Sequence, residues 1–345
     1  MCIRDRSKVV TFGEIMLRLA PNGYYRLLQN DQLQATFGGG EANVAVSLAN
    51  LGVDATFVTK LPNNAIAQAA VSCLRSFNVD TSHIVYGGQR MGIYFLEKGA
   101  SQRGSVCIYD RSHSSIQEAT ADDFDWENVF SDAEWFHFTG ITPALGNNLV
   151  DICEQACLEA KKRGVRISCD LNYREKLWSK EQAQKAMTKL CKYVDVCIAN
   201  EEDAKNVFGI AADGTDVYSG RIDKSAYAEV ASQLKKKFDF QKVAITLRTS
   251  FSASDNKWAG LLYDGNHFTY SKEYHLHIVD RVGGGDSFAA GLIYALMNGK
   301  NDQDAVEFAV AASALKHTIE GDFNRVSVKE VERLVNGDGS GRVQR

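Results

Sequence analysis

The sequence predicts an α/β fold: one doubly wound domain with a mostly parallel sheet flanked by helices and a small β-sheet lid. Three observations point there. Short apolar runs alternate with amphipathic segments of about 10–15 residues, the rhythm of a parallel sheet covered on both faces. That rhythm breaks once, between Ile84 and Ile116, into two strand-like runs joined by a turn. Two glycine clusters, Gly38-Gly39-Gly40 and Gly283-Gly284-Gly285, each open a helical pattern, and such starts can border one cleft at the strand ends.

The first strand is read in Lys8-Val9-Val10-Thr11-Phe12-Gly13. Beyond the first glycine cluster, Ala42, Val44, Ala45, Leu48 and Leu51 share one helical face, and Gly52 stops the helix. A second strand falls at 55–58 and a second helix at 65–77. Runs 92–97 and 105–110, joined by a turn containing Gly and Ser, read as a hairpin. Ile93 and Phe95 oppose Tyr94 and Leu96, which predicts cover on both hairpin faces. After Asp125, strands at 135–139, 165–169 and 194–198 alternate with helices near 148–163 and 179–190. A helix near 225–237 leads into a strand at 243–247, then a shorter β stretch at 259–263 and 267–270 turning at Asp264-Gly265-Asn266. Helices near 285–298, 302–319 and 327–335 end a domain read over 8–335. Segments of about 14–37 and 87–115 form its lid, 1–7 a leader and 336–345 a flexible tail.

Of the 345 residues 45% are hydrophobic and 24% charged, which excludes a disordered chain. Thirty-nine basic against 43 acidic side chains leave a net charge of −4, so nucleic acid and anionic membrane are not the expected partners. No apolar run of about 18 residues offers a membrane span. The opening Met1-Cys2-Ile3-Arg4-Asp5-Arg6 lacks the apolar core of a signal peptide. Eight cysteines without a CxxC pair fit reduced thiols and a cytoplasmic setting, with Cys153 and Cys157 as apolar fillers on one helical face.

The sharpest chemical feature is Asp280-Arg281-Val282-Gly283-Gly284-Gly285-Asp286, running into an apolar helix. Its glycines leave backbone N–H groups open at a positive helix terminus, a cradle for phosphate. Asp286 lies in the first turn, where the helix field favours its ionised form and a carboxylate could take a hydroxyl proton. Gly39-Gly40-Glu41-Ala42-Asn43 is the second glycine start, with Asn43 a directional donor and acceptor. Neither segment fits a Walker loop or GxGxxG.

Together and in order, these segments resemble the ribokinase-like (PfkB-type) carbohydrate kinases, from about Val9 to Val335. Gly39-Gly40-Glu41-Ala42-Asn43-Val44-Ala45 matches the family's first motif, and Asp280 with Gly283-Gly284-Gly285-Asp286 its last. Asn200-Glu201-Glu202-Asp203 matches a middle Asn-x-x-Glu motif, with Asp in the final place. The resemblance implies an ATP-dependent kinase acting on a sugar's terminal hydroxyl, with Asp286 as base and Gly283, Gly284 and Gly285 as the anion hole. It implies sugar contacts from Gly39, Gly40, Asn43, Asp280 and Asp286. It places Asn172, Arg174, Asn200, Thr246, Arg248, Gly283 and Gly285 against the nucleotide, and Mg²⁺ near Asn200 and Asp203, mostly through water. Tyr94, Tyr109, Arg111 and Arg174 match positions with which members acting on 2-keto-3-deoxygluconate grip that acidic sugar, and the two guanidiniums are fork donors suited to a carboxylate. Arg281 stands where relatives carry a small hydroxyl residue, which leaves dependence on a monovalent cation open. Fructokinase or another hexose kinase is the alternative within the family. A non-catalytic sugar-binding regulator is the alternative outside it, and Asp286 argues against that one. Lids of this family often pair between subunits, so a homodimer or higher homo-oligomer through the lid is expected.

Overall fold

The computed structural model describes residues 8–211, 223–339 and 341; the leader assigned to 1–7 and the end of the tail lie outside the described residues. In the nine-stranded main sheet, the run Lys242–Ser250, Val196–Ala199, Arg166–Asp170, Ala133–Thr139, Lys8–Phe12, Asp54–Val58 is parallel throughout. Asp255–Tyr263 joins antiparallel at one edge and pairs in turn with Phe268–Tyr270 and Tyr274–His277.

Alternation along buried strands produces two cores. Val10, Phe12, Phe136 and Phe138 point to one face, covered by helices Asn147–Lys162, Lys180–Leu190 and Lys224–Phe238. Val9 and Trp135 point to the other, covered by Gly40–Asn50, Ala65–Ser76, Gly284–Met297 and Asp302–Lys316. The fold is therefore the doubly wound α/β class that the apolar rhythm predicts. Cys153 and Cys157 are buried fillers on one helix face, and the cysteines of the described residues are free. No helix among the described residues is long and apolar enough to cross a membrane.

A separate four-stranded sheet has the order Gln34–Gly38, Met16–Ala20, Ile93–Glu97, Val106–Asp110. Its last two strands are the expected hairpin, with Tyr94 opposite Tyr109. Cover on both faces holds for Ile93–Glu97 only. Val106–Asp110 is an edge strand, with Val106 41% and Ile108 50% exposed, which corrects the expectation for that run. Gln34–Gly38 carries no burial alternation and becomes a strand through its pairing with Met16–Ala20. Asp255–Tyr263 is nine residues long, rather than a short stretch, because it pairs along the whole of Lys242–Ser250.

Candidate active site

Strand order reverses beside Lys8–Phe12, and at such a switch point an open α/β sheet leaves a crevice at its carboxyl ends. A cavity of about 490 Å³ lies there, bounded by the strand ends, both glycine starts and the lid sheet. It collects Gly39, Gly40, Asn43, Gly283, Gly285 and Asp286 from segments about 240 residues apart.

Asp286 stands in the first turn of helix Gly284–Met297. Asn43 Nδ2, in the first turn of Gly40–Asn50, donates to its Oδ2 at 2.7 Å, while Asn43 Oδ1 accepts from Gly39 N–H. Loss of water around this carboxyl pushes it up to about 6, with the Asn43 bond opposing. A carboxyl raised to that value titrates close to neutral pH.

Gly283 caps the helix at φ 82°, a left-handed conformation open to glycine, and a Cβ there would lie 2.1 Å from Asp322 O. Gly284 differs from its neighbours. Its N–H turns back to Arg281 O and its α-carbon faces the His317 ring, so the cavity is lined by Gly283 and Gly285. First-turn N–H groups have no intrahelical partner, which leaves them for an anion.

Asp280 is also displaced from its expected place. It is 2% exposed, does not line this cavity, and accepts from Arg18 Nη2 at 2.5 Å. Arg18 Nη1 binds Asp322 at 2.6 Å, and Tyr94 OH donates to Asp322 at 2.6 and 2.7 Å. Asp322, not Asp280, reaches the cavity. Burial opposes the charge on Arg18, yet Asp322 and Asp280 hold its pKa above the ordinary value. Arg111 lines the cavity and is paired with the buried carboxylate of Glu14, which also accepts from Ser114 Oγ at 2.8 Å. The Arg111 guanidinium stacks over the Tyr109 ring at 5.2 Å, and Tyr109 packs beside Tyr94. Arg174 is exposed, donates to Tyr173 O at 2.9 Å, and reaches the same cavity.

Across the cavity stand Asn172, Asn200, Asp203, Thr246 and Arg248, with Asn172 at φ 38°. Asn200 and Asp203 form a capping box at the start of Glu201–Phe208: Asn200 Oδ1 accepts from Asp203 N–H, and Asp203 Oδ2 from Asn200 N–H. Asp203 Oδ1 accepts from Tyr173 N–H, so this carboxylate fixes the loop that bears Arg174. Asp170 lines the same cavity, within electrostatic reach of Asp203 and Asp286. Burial, then repulsion from those two, holds its carboxyl well above the usual carboxylate range.

Sequence reading missed Asp322 and Arg18, and gave no role to Glu14, Glu41 and Asp170. Arg18 and Glu14 carried a weak signal, as charges beside apolar residues in a short run; Asp322 carried none. Glu41 sat inside a recognised motif. Its Oε1 accepts from Thr139 N–H, Thr139 Oγ1 and Thr142 Oγ1, joining the helix start to the end of Ala133–Thr139.

A sheet-end cleft that gathers glycine-led helix starts, a carboxylate and a lid sheet has the parts that a phosphotransferase needs. The family model for pfkB family carbohydrate kinases matches residues 6–326, and the chain belongs to this family of carbohydrate kinases. The crystal structure of a 2-dehydro-3-deoxygluconokinase from Thermotoga maritima is similar to it, with 52% identity and a TM-score of 0.93 over 97% of this chain and 99% of that one. A 2-dehydro-3-deoxygalactonokinase of Haloferax volcanii is 31% identical over 335 residues, 97% of this chain and 98% of its own. The 2-dehydro-3-deoxygluconokinase of Bacillus subtilis is 28% identical over 330 residues, 93% of each chain.

Proposed function

We propose that this carbohydrate kinase transfers the γ-phosphoryl of ATP to the terminal hydroxyl of 2-keto-3-deoxygluconate, also called 2-dehydro-3-deoxygluconate. One observation carries the sugar-acid reading: of the four arginines that line the cavity holding Asp286, two, Arg111 and Arg174, act on Tyr109, which packs beside Tyr94. Of these two, Arg111 already has Glu14 as its partner and holds the lid floor, so the sugar carboxylate is assigned to Arg174, with Arg248 kept for the nucleotide. The likeness to the Thermotoga enzyme supports the same acceptor.

Asp286 takes the hydroxyl proton while Asn43 keeps its second oxygen aimed. Backbone N–H groups at Gly283 and Gly285 stabilise charge on the transferred phosphoryl group, where positioning and electrostatics dominate a loose transition state. Asn172, Asn200, Thr246 and Arg248 form the nucleotide wall. Among the described residues no three His, Cys, Asp or Glu side chains form a metal cage. Asn200 and Asp203, with Asp170 on the same cavity wall, would hold the waters of a Mg²⁺ carried by the nucleotide, and that ion would supply positive charge to the phosphate oxygens.

Exposed Val106 and Ile108 on the edge strand, with Leu28 82% exposed nearby in sequence to the lid, support pairing of two lids in a homodimer. A dimer mass by light scattering is expected, and a monomer at micromolar concentration refutes the pairing. Buried free thiols fit the reducing cytoplasm. ADP release over a sugar panel tests the assignment. Turnover of 2-keto-3-deoxygluconate above the galactonate analogue and fructose is expected, and faster turnover of fructose refutes it.

A further inference from the structure

Lys316, the last residue of helix Asp302–Lys316, is 0% exposed, and a lysine is almost never fully buried without a partner. Its Nζ donates to Ile319 O at 3.1 Å and to Asp280 O at 3.5 Å. Burial pulls its ammonium below the ordinary lysine range; the carboxylates of Asp280 and Asp322 oppose that, Arg18 adds to it, and Asp286 attracts the charge from the cavity side. A Cβ on Gly283 would lie 3.2 Å from Lys316 Cε, so the stem runs directly beneath the cradle. The surroundings of this ammonium are thus backbone carbonyls and carboxylates, the hard oxygen donors that an inorganic cation prefers. Arg18 and Lys316 together balance Asp280 and Asp322. A neutral residue at 316 would leave net negative charge behind the loop that receives an anionic phosphoryl group.

We infer that Lys316 is a tethered monovalent cation: a positioning residue that holds the Asp280–Gly285 loop from behind and makes catalysis independent of potassium. The inference rests on phosphoryl transfer at Asp286, and it is assayed with the sugar acid proposed above. Wild-type turnover of that sugar is the control, and its absence counts against the substrate alone.

The test compares wild type with Lys316→Ala and Lys316→Met in choline, sodium, potassium and ammonium salts at constant ionic strength. Wild-type kcat should be equal in all four. Lys316→Ala should lose roughly tenfold or more in kcat in choline and regain most of it in potassium or ammonium. Lys316→Met, which fills the space without charge, should lose as much and regain nothing. Potassium should also raise the Tm of Lys316→Ala and leave that of wild type unchanged. A wild type activated severalfold by potassium overturns the inference. So does a folded Lys316→Ala that is fully active in choline, or inactive in every salt. If neither variant folds, the wild-type salt series decides alone.

Discussion

Removing the Asn43 amide should move the pH dependence of this enzyme in a direction that the geometry dictates. Asp286 is half-buried, and the water it loses raises its carboxyl, while the 2.7 Å bond from Asn43 Nδ2 favours the charged form. The balance stands at about 6. The base works ionised, so kcat/KM, which reports the free enzyme, should fall as pH drops through that value. Asn43→Leu keeps the volume and deletes the donor. A hydrogen bond to a charged group contributes about 1.5–3 kcal/mol, or about one to two pH units at 1.36 kcal/mol per unit. The acid limb of the Asn43→Leu profile should therefore shift upward by about that much, while the plateau at high pH stays within reach of wild type. Coupled ADP-release assays between pH 5 and 9 measure it. An unmoved limb, or one displaced to lower pH, refutes Asp286 as the titrating base held by Asn43.

Asp286→Asn should lower kcat by about 10²–10⁴ while sugar binding persists in calorimetry. Arg174→Leu should reduce kcat/KM for the sugar acid by roughly tenfold to a hundredfold and spare any activity on fructose. Arg111→Leu should reduce both equally, because it leaves Glu14 buried without its cation; a selective loss there would return the carboxylate to Arg111. Glu41 is pushed by burial up to about 7 against three hydrogen bonds. Its folded pKa exceeds the unfolded one, so stability should decline as pH rises from about 4.5 to 7 and then level off, by about 3 kcal/mol in all. Glu41→Gln should flatten that slope in thermal melts at pH 5 and 8, and a slope identical to wild type counts against it. Gly283→Ala should depress both Tm and kcat, since its Cβ would press on Asp322 O; a normal Tm with full activity speaks against a fixed cradle.

The sequence by itself determined the fold class and the place of Asp286 in the first turn of a glycine-led helix. Both are local properties: the alternation of apolar runs with amphipathic segments, and glycines placed before a helix that begins with Asp286. Tertiary structure decided which charges meet. Arg18 and Asp322 are 304 positions apart and Arg111 and Glu14 are 97 apart, and no period or motif relates them. It also decided that Asp280 lies behind the wall, that Asn200 and Asp203 cap one another, and that lost water raises the Asp286 carboxyl. Chain patterns report which face of an element is buried. Pairing of charges and loss of water depend on elements brought side by side by the sheet order, and that order arises only when the whole chain packs.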